Sequence, residues 1–384
     1  MRRYYFDNIA TTRVDDEVLK EMLPYFSEIY AIPSSQFSHQ DGILGSDAIE
    51  KARERIAACI NAEPSEIIFT SGETESNNLA VKGAAYYGKK KRDHLITSPI
   101  EPRSVLNSVK KLGKEGFGTS IIKVDGEGFA DPDDIKGALT ERTSLVSVSY
   151  VNHEVGTMQD IERIGTLCAE RGVLFHTDAS YAFSWFPIDV KKQNISLMTL
   201  SADKIHGPKG AGILYKNKNV KIDRLFEGNF NEFYIRPGLE NVPAIVGSGK
   251  AAELIEKNKE NIMKVKPLRD KLIADLLKID DAVLNGPKDK RVDNNVNVTF
   301  YRAEGEAIVL HLDMHGISVI TGSACFSESL EPSYVMMALG YTHERAHGSV
   351  RFGLSRLSSG VEIEYAAEKA RFVVNKLREI SPIK

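Results

Sequence analysis

A lysine stands where an apolar run ends. Leu197-Met-Thr-Leu-Ser-Ala202 reads as a buried strand. It gives way to Asp203-Lys204, and a turn through Gly207, Pro208 and Gly210 leads into a second apolar strand, Gly212-Ile-Leu-Tyr215. A lysine that leaves a hydrophobic sheet for a crevice is desolvated there, and desolvation frees an amine as a nucleophile. Taken alone, the same residues also describe a solvated lysine in an ordinary turn. Another apolar run, Val173-Leu-Phe-His-Thr-Asp178, ends in an acid. Neighbouring strands of an open α/β sheet that end in Asp178 and Lys204 bring both groups to the crevice where such sheets bind ligands. An aldehyde cofactor with a pyridine ring needs that pair. The lysine holds the aldehyde, and the carboxylate keeps the ring nitrogen protonated so that the ring withdraws electrons from a carbanion on the substrate.

Three further places carry chemistry. Ile67-Ile-Phe-Thr70 reads as a strand, followed by Ser71-Gly72-Glu73-Thr74-Glu75-Ser76-Asn77-Asn78 and a helical Leu79-Ala-Val81. A strand, a polar turn containing Gly72 and a helix N-terminus present free backbone N–H groups to an anion, with the Thr74 hydroxyl beside them. A capped helix has the same signature. Cys325 sits among small and polar residues in Thr321-Gly-Ser-Ala-Cys-Phe-Ser-Glu-Ser329, a loop pattern that exposes the thiol. It is a candidate nucleophile or an incidental surface cysteine. Arg351 lies in the strand-like Gly348-Ser-Val-Arg-Phe352, where it could grip a carboxylate through two hydrogen bonds or simply face solvent. Cys59 and Cys168 are expected on the apolar faces of helices, in the core.

The elements that must position these groups alternate along the chain. Strands are expected at 94–98, 119–124, 144–150, 174–178, 197–202 and 212–215, with helices at 45–60, 102–112 and 160–171 between or before them. This alternation predicts an α/β domain: a mostly parallel sheet with helices on both sides and right-handed crossovers. The first helix is expected to turn Leu19, Met22, Leu23 and Phe26 to one face. After Tyr215 the composition shifts. Residues 226–238 read as a loop, and 242–277 as one long helical pattern joining two domains. Strands at 295–300 and 317–320 and helices at 305–315, 333–339 and 361–380 then make a smaller α+β domain. The expected division is 14–255 for the large domain and 1–13 plus 256–384 for the small one.

Bulk properties exclude several classes. The 384 residues carry a net charge of −3, which implies neither a nucleic-acid nor a membrane partner. No apolar run approaches membrane length, and Met1-Arg-Arg-Tyr-Tyr-Phe-Asp7 is too short and polar for a signal peptide. Three cysteines without CxxC spacing argue against a disulfide frame or a zinc site, so no metal is expected and a reducing cytoplasm is the simplest compartment.

Together these stretches resemble the class V aminotransferase group, most closely the cysteine desulfurases. The likeness runs over nearly the whole chain: Tyr5-Phe-Asp-Asn-Ile-Ala-Thr-Thr12, Ile67 to Asn78, Val173 to Asp178, Gly207-Pro-Lys-Gly210, Gly322-Ser-Ala-Cys325, Leu330-Glu-Pro-Ser-Tyr-Val335 and Val350-Arg-Phe352. The resemblance implies a type I pyridoxal-phosphate fold with a mainly parallel seven-stranded sheet, usually as a homodimer. It implies that Lys204 holds pyridoxal 5'-phosphate, Asp178 pairs the pyridine nitrogen, and Thr74, Ser201 and Gly72 receive the phosphate. Arg351, with Asn8, would bind the substrate L-cysteine or a close relative. Cys325 would take its sulfur as a persulfide and pass it to an acceptor protein, as in iron–sulfur cluster assembly.

The departures from the family pattern fall in the active site. Pro102 replaces a histidine that stacks on the cofactor ring, and proline cannot transfer protons. His153 replaces an asparagine and offers an imidazole as a substitute acid–base group. Tyr181 replaces a glutamine near the cofactor's phenolic oxygen, to which it can still donate. Asp203 replaces a histidine that binds phosphate, and an anion there opposes the phosphate charge. Leu239 ends a rebuilt loop, 227–239, where a threonine is usual; Ile9 and Ile32 replace an alanine and an asparagine. The first expectation is a desulfurase that converts L-cysteine to alanine. A pyridoxal-phosphate lyase or aminotransferase acting on another amino acid, and a scaffold paralogue with little turnover, are the alternatives.

Overall fold

In the computed structural model, which describes residues 3–322 and 331–380, β1 (Tyr4–Tyr5) precedes seven strands of one sheet. These are β2 (Ile67–Thr70), β3 (His94–Thr97), β4 (Gly118–Ile121), β5 (Thr143–Ser147), β6 (Leu174–Asp178), β7 (Leu197–Ser201) and β8 (Gly212–Lys216). Their spatial order is β2-β8-β7-β6-β5-β3-β4. β7, β6, β5, β3 and β4 run parallel, and β8 is antiparallel to both its neighbours. The expected α/β architecture is therefore present. β2, β5 and β7 are buried along their whole lengths, because helices cover both faces and the strands need apolar residues at every position. The pleat sends successive residues to opposite sides. Phe69, Val146 and Met198 join one core with Ile56 and Phe175, while Ile68, Leu145 and Leu197 join another with Leu79 and Leu95.

A second group of strands forms around β9 (Ala282–Leu284), β10 (Asn295–Phe300), β11 (Ile317–Ser318) and β12 (Ser349–Gly353). β10 pairs antiparallel with β9 and β12, and β1 pairs parallel with β11. Phe6, from the start of the chain, packs in the same core as Val298, Leu312, Phe352 and Val374.

Several expectations change. The pattern at 242–277 is three helices, Val242–Lys257, Lys259–Met263 and Val265–Leu276. Asn258 ends the first, with its backbone turned out of the helical region and its amide capping the Leu254 carbonyl at 2.9 Å. The helix expected at 45–60 begins earlier, at Gln40, where the His39 ring accepts from the Gly42 N–H at 3.1 Å. Helix Pro132–Ala138 and β9 were not expected; both are short and weakly patterned. Pro24 splits the first helix into Asp16–Met22 and Pro24–Ser27, and Leu19, Leu23 and Phe26 face outward, because only Val18 and Met22 reach the core. Cys168 is buried as expected, but Cys59, last in its helix, is exposed.

The rebuilt loop is tied down by a buried ion pair at Glu232. The Arg53 guanidinium donates to both Glu232 carboxylate oxygens, at 2.8 and 3.0 Å, with Phe69 N–H also donating to Glu232 at 2.7 Å. Glu232, Phe233 and Tyr234 all take left-handed backbone angles, with φ of 46°, 57° and 64°. That conformation is costly for residues other than glycine, and the buried pair holds it. Replacing Glu232 with Ala removes the bidentate partner of the buried Arg53 and leaves it only the half-exposed Glu50 at 3.1 Å and the Ile67 carbonyl. Urea unfolding should show a loss of about 3–5 kcal/mol, with Glu232→Gln milder.

Candidate functional site

The carboxyl ends of β6 and β7 and the turn after β2 converge, as open α/β sheets dictate. Asp178 closes β6 and is buried. Its carboxylate accepts from the Asn77 amide at 2.7 Å and from the Ser180 N–H at 2.9 Å. Burial pushes its pKa up, and those hydrogen bonds and Lys204 pull the other way. Lys204 follows β7 on a short turn, Ala202–Lys204, as the strand-end reading required. That turn is tight: Gly207 N–H donates back to Ala202 O at 2.8 Å, and a Cβ at Gly207 would stand 2.7 Å from the same oxygen. The Lys204 ammonium donates to the Ala10 carbonyl and to Asp203 Oδ2 at 3.2 Å. It lies 5.2 Å from the centre of the Tyr181 ring. Asp203 also accepts the Ser201 hydroxyl at 2.5 Å.

After β2, Gly72 caps a helix, Glu73–Gly88, with φ of 154°. β8 begins directly against this turn, and a Cβ on Gly212 would collide with the Gly72 backbone and sit 2.5 Å from Thr70 Oγ1. Glu75 anchors the turn by accepting from Ser71 N–H at 2.7 Å and Arg236 at 2.9 Å. Thr74 and Glu73 face a cleft of about 640 Å³ that Pro102, Arg103, His153, Tyr181, Tyr334 and Arg351 also line. Glu73 was not singled out from sequence; its neighbours in space, not in the chain, make it unusual. Burial, then the nearby Asp178 and Asp203 carboxylates, push its pKa up to about 8, against the pull of Lys204 and a Tyr181 hydrogen bond.

Arg351 reaches the cleft from β12. Its guanidinium donates to Asp7 Oδ1 at 2.9 Å and to the His153 carbonyl at 3.1 Å, and its Nε is buried without a partner. The His153 ring lies between those of Tyr181 and Tyr334, at 5.9 and 6.4 Å, and its Nδ1 is also unpartnered. Burial, then the Arg351, Lys204 and Arg103 cations, drive its pKa down to about 3, so it is a neutral imidazole near neutral pH. Asn8 stands apart. Its amide is spent on the Tyr5 and Gly353 carbonyls at 2.8 and 2.9 Å, and it opens on another hollow beside Lys209. Cys325 lies outside the described residues, though Thr321 and Gly322, just before it, line the cleft.

The residues present fit pyridoxal phosphate at its ring end. A buried carboxylate, an amine on the next strand and the buried unpartnered atoms Asn77 Oδ1, His153 Nδ1 and Arg351 Nε await polar partners. At the phosphate end, the Thr74 hydroxyl and a helix N-terminus are present, but so are Glu73 and Asp203.

The aminotransferase class-V family model matches residues 4–365. The chain is similar to the cysteine desulfurase IscS of Clostridium botulinum (strain Hall), 45% identical over all of this chain and 97% of the relative. It is equally similar to the cysteine desulfurase IscS of Methanosarcina thermophila, 45% identical over 99% of this chain and 94% of the relative. Among solved structures, a NifS-like protein is 34% identical with a TM-score of 0.92, covering 98% of this chain and all of that one. A structure of SspA in complex with cysteine is 33% identical with a TM-score of 0.79, over 92% of this chain and 99% of that one.

The position of Glu73 predicts a pH effect on the cofactor-free protein. Folded, Glu73 keeps its proton up to about pH 8; its ordinary value is 4.5. Between those values Glu73 is more often protonated in the folded than in the unfolded chain, so its own contribution to stability falls as pH rises through that window. Urea midpoints at about pH 5 and about pH 9 should differ more for the native chain than for Glu73→Gln.

Proposed function

The chain belongs to the aminotransferase class-V family, and from that membership we propose that it is a pyridoxal-phosphate-dependent cysteine desulfurase. Four things support the reading: a buried Asp178 and Lys204 on adjacent strand ends, Arg351 in the same region, full-length likeness to proteins named cysteine desulfurase, and likeness to a structure holding cysteine. The observation that carries it is the Asp178–Lys204 pair.

Pyridoxal phosphate, when bound, supplies an electron sink that stabilises negative charge at the substrate α-carbon. Asp178 keeps the ring nitrogen protonated. Its burial and the two N–H donors that orient it fix one carboxylate face for that contact. Lys204 would hold the cofactor aldehyde, and its amine, when free, would serve as a base for the substrate α-proton. To reach either role it must leave Asp203 and Ala10. Tyr181 flanks that amine and would donate to the cofactor's phenolic oxygen, and Thr74 and the Gly72 turn would receive the phosphate; the Ser201 hydroxyl, given to Asp203, would have to turn to join them. Arg351 binds the substrate carboxylate through a guanidinium already aligned by Asp7 and the His153 carbonyl. His153, a neutral imidazole, takes the acid–base role that Pro102 cannot.

The Cys325 thiolate attacks the substrate sulfur. The carbon–sulfur electron pair stays on the substrate carbon, which takes up a proton to give alanine, and the sulfur remains on Cys325 as a persulfide for an acceptor protein. The reading includes a large domain at 14–255 and a small one at 1–13 plus 256–384, in keeping with the separate packing of Phe6 among residues 265–377. It also includes a cytoplasmic homodimer. Exposed Phe37 (92%), Tyr30 (78%), Phe230 (69%) and Tyr234 (66%) are a large apolar surface for one chain to leave open.

A second reading, a lyase or aminotransferase on another amino acid, draws on Pro102 and Arg103 in the cleft wall. Product analysis separates the two: alanine with protein-bound sulfur supports desulfuration, and a keto acid supports the alternative. Arg351→Ala should raise KM for L-cysteine roughly ten- to hundredfold, as loss of charge-assisted hydrogen bonds implies. Lys204→Ala should release no alanine. Cys325→Ser should form no persulfide by mass spectrometry; full sulfur delivery by that variant would remove Cys325 from the mechanism.

A further inference from the structure

Three carboxylates, Glu73, Asp178 and Asp203, surround one ammonium, Lys204, where the helix N-terminus after Gly72 meets the ends of β6 and β7. Each has a different set of commitments. Asp178 is held by Asn77 and the Ser180 N–H, toward the ring end. Asp203 engages Ser201 at 2.5 Å and Lys204 at 3.2 Å, so the Ser201 proton points at a carboxylate and away from any incoming anion. Glu73 is the first residue of its helix and lines the cleft beside Thr74 and Tyr181. The other charges near it are accounted for. Glu75, on the same helix, is paired with Arg236, and Arg351 faces Asp7 and His153. Lys82 and Arg103 line the same cleft.

A phosphate seated at this helix N-terminus therefore meets the backbone N–H groups and the Thr74 hydroxyl together with the Glu73 carboxyl, with Asp203 on the neighbouring turn beside Ser201 and Lys204. The helix end favours an anion by a modest amount, and a like charge within contact distance opposes it by a comparable or larger one. Lys82 and Arg103 in the same cleft offset part of that repulsion, and Glu73 itself can remove more of it. A protonated Glu73 removes one of the negative charges and adds an O–H donor for a phosphate oxygen.

We propose that Glu73 and Asp203 determine which cofactor tail this site accepts: the phosphorylated cofactor is captured with Glu73 in its neutral acid form, and the two carboxyl groups together narrow the preference for pyridoxal phosphate over unphosphorylated pyridoxal. This rests on the reading that the site holds pyridoxal phosphate. It adds that phosphate recognition is proton-linked and deliberately weak at high pH. The raised proton affinity of Glu73 agrees with the geometry.

The test is an equilibrium titration of the full-length, cofactor-free protein with pyridoxal phosphate and, separately, with pyridoxal. The signal is quenching of its one tryptophan, Trp185, which lines a hollow with Lys204. Taking the ratio of the two dissociation constants cancels the titration of the lysine and the ring, which both compounds share. Between about pH 7 and about pH 9 the ratio should move against the phosphorylated form by about tenfold in the native chain. Glu73→Gln should flatten that slope, and Asp203→Asn should shift the ratio toward the phosphorylated form at both pH values. A native ratio that stays constant with pH, or a Glu73→Gln protein that keeps the native slope, overturns the inference and leaves the cofactor reading standing. Failure of the native chain and both variants to bind either compound overturns that reading as well. Asp203→Asn leaves Glu73 in place, so a folding defect in one variant does not remove the test.

Discussion

Asp178 is a carboxylate buried at the end of a core strand, and much of the site follows from the need to hold it there. Burial alone would drive it toward the neutral form, since an isolated anion in a low-dielectric interior is costly. The Asn77 amide and the Ser180 N–H supply two donors, and the Lys204 ammonium on the neighbouring turn supplies charge. Those groups come from three separate places in the chain: the helix after β2, the turn after β6 and the turn after β7. Glycines make the approach possible, with Gly207 closing the lysine turn and Gly212 letting β8 begin against Gly72. A pyridinium nitrogen is the kind of partner such a carboxylate lacks in the cofactor-free chain.

The second feature is the crowding of charge on the other side of the same lysine. Asp203 and Glu73 add negative charge to a region that already contains Asp178, while Arg351 and Arg103 add positive charge around His153. The consequences are opposite for the two titrating groups. Glu73 is pushed toward holding its proton, and His153 is pushed toward losing one. Both are therefore neutral near neutral pH, which leaves a donor on the acid and an unpartnered nitrogen on the imidazole at opposite parts of one cleft. Tyr181 lies between them, close to the lysine and to the His153 ring.

Arg351 shows how the two groups of strands cooperate. It belongs to β12, in the smaller antiparallel sheet, yet its guanidinium ends between Asp7 of the N-terminal segment and the His153 carbonyl of the large sheet's loop. The pairing of β1 with β11 and the burial of Phe6 against Phe352 bring that N-terminal segment into place. Movement of the smaller sheet would carry Arg351 with it, so the position of this guanidinium and the contact between the two groups of strands are mechanically linked.

The sequence by itself determined the alternation of strands and helices in the large sheet and singled out Thr74, His153, Tyr181 and Arg351, which line one cleft. Lys204 and Asp178 stood out because each closes a mostly apolar run, and neighbouring strand ends of a covered parallel sheet meet at its ligand crevice. The Gly72 turn stood out as a strand, a glycine and a polar helix start, a pattern that an ordinary capped helix shares. The resemblance to a known family supplied roles for Arg351 and Cys325 that spacing alone left open. What only the tertiary structure decided were the effects that depend on distance between residues remote in sequence. Glu73 is one ordinary acid in a polar turn until Asp178 and Asp203, more than a hundred residues later, are folded against it. Asn8 read, through the family resemblance, as a substrate ligand beside Arg351; in the fold its amide is spent on two backbone carbonyls. Leu19, Leu23 and Phe26 had a helix-like spacing that pointed to a core they do not reach. Periodicity reports which residues share a face, but electrostatic fields and the burial of that face are sums over neighbours that only folding brings together.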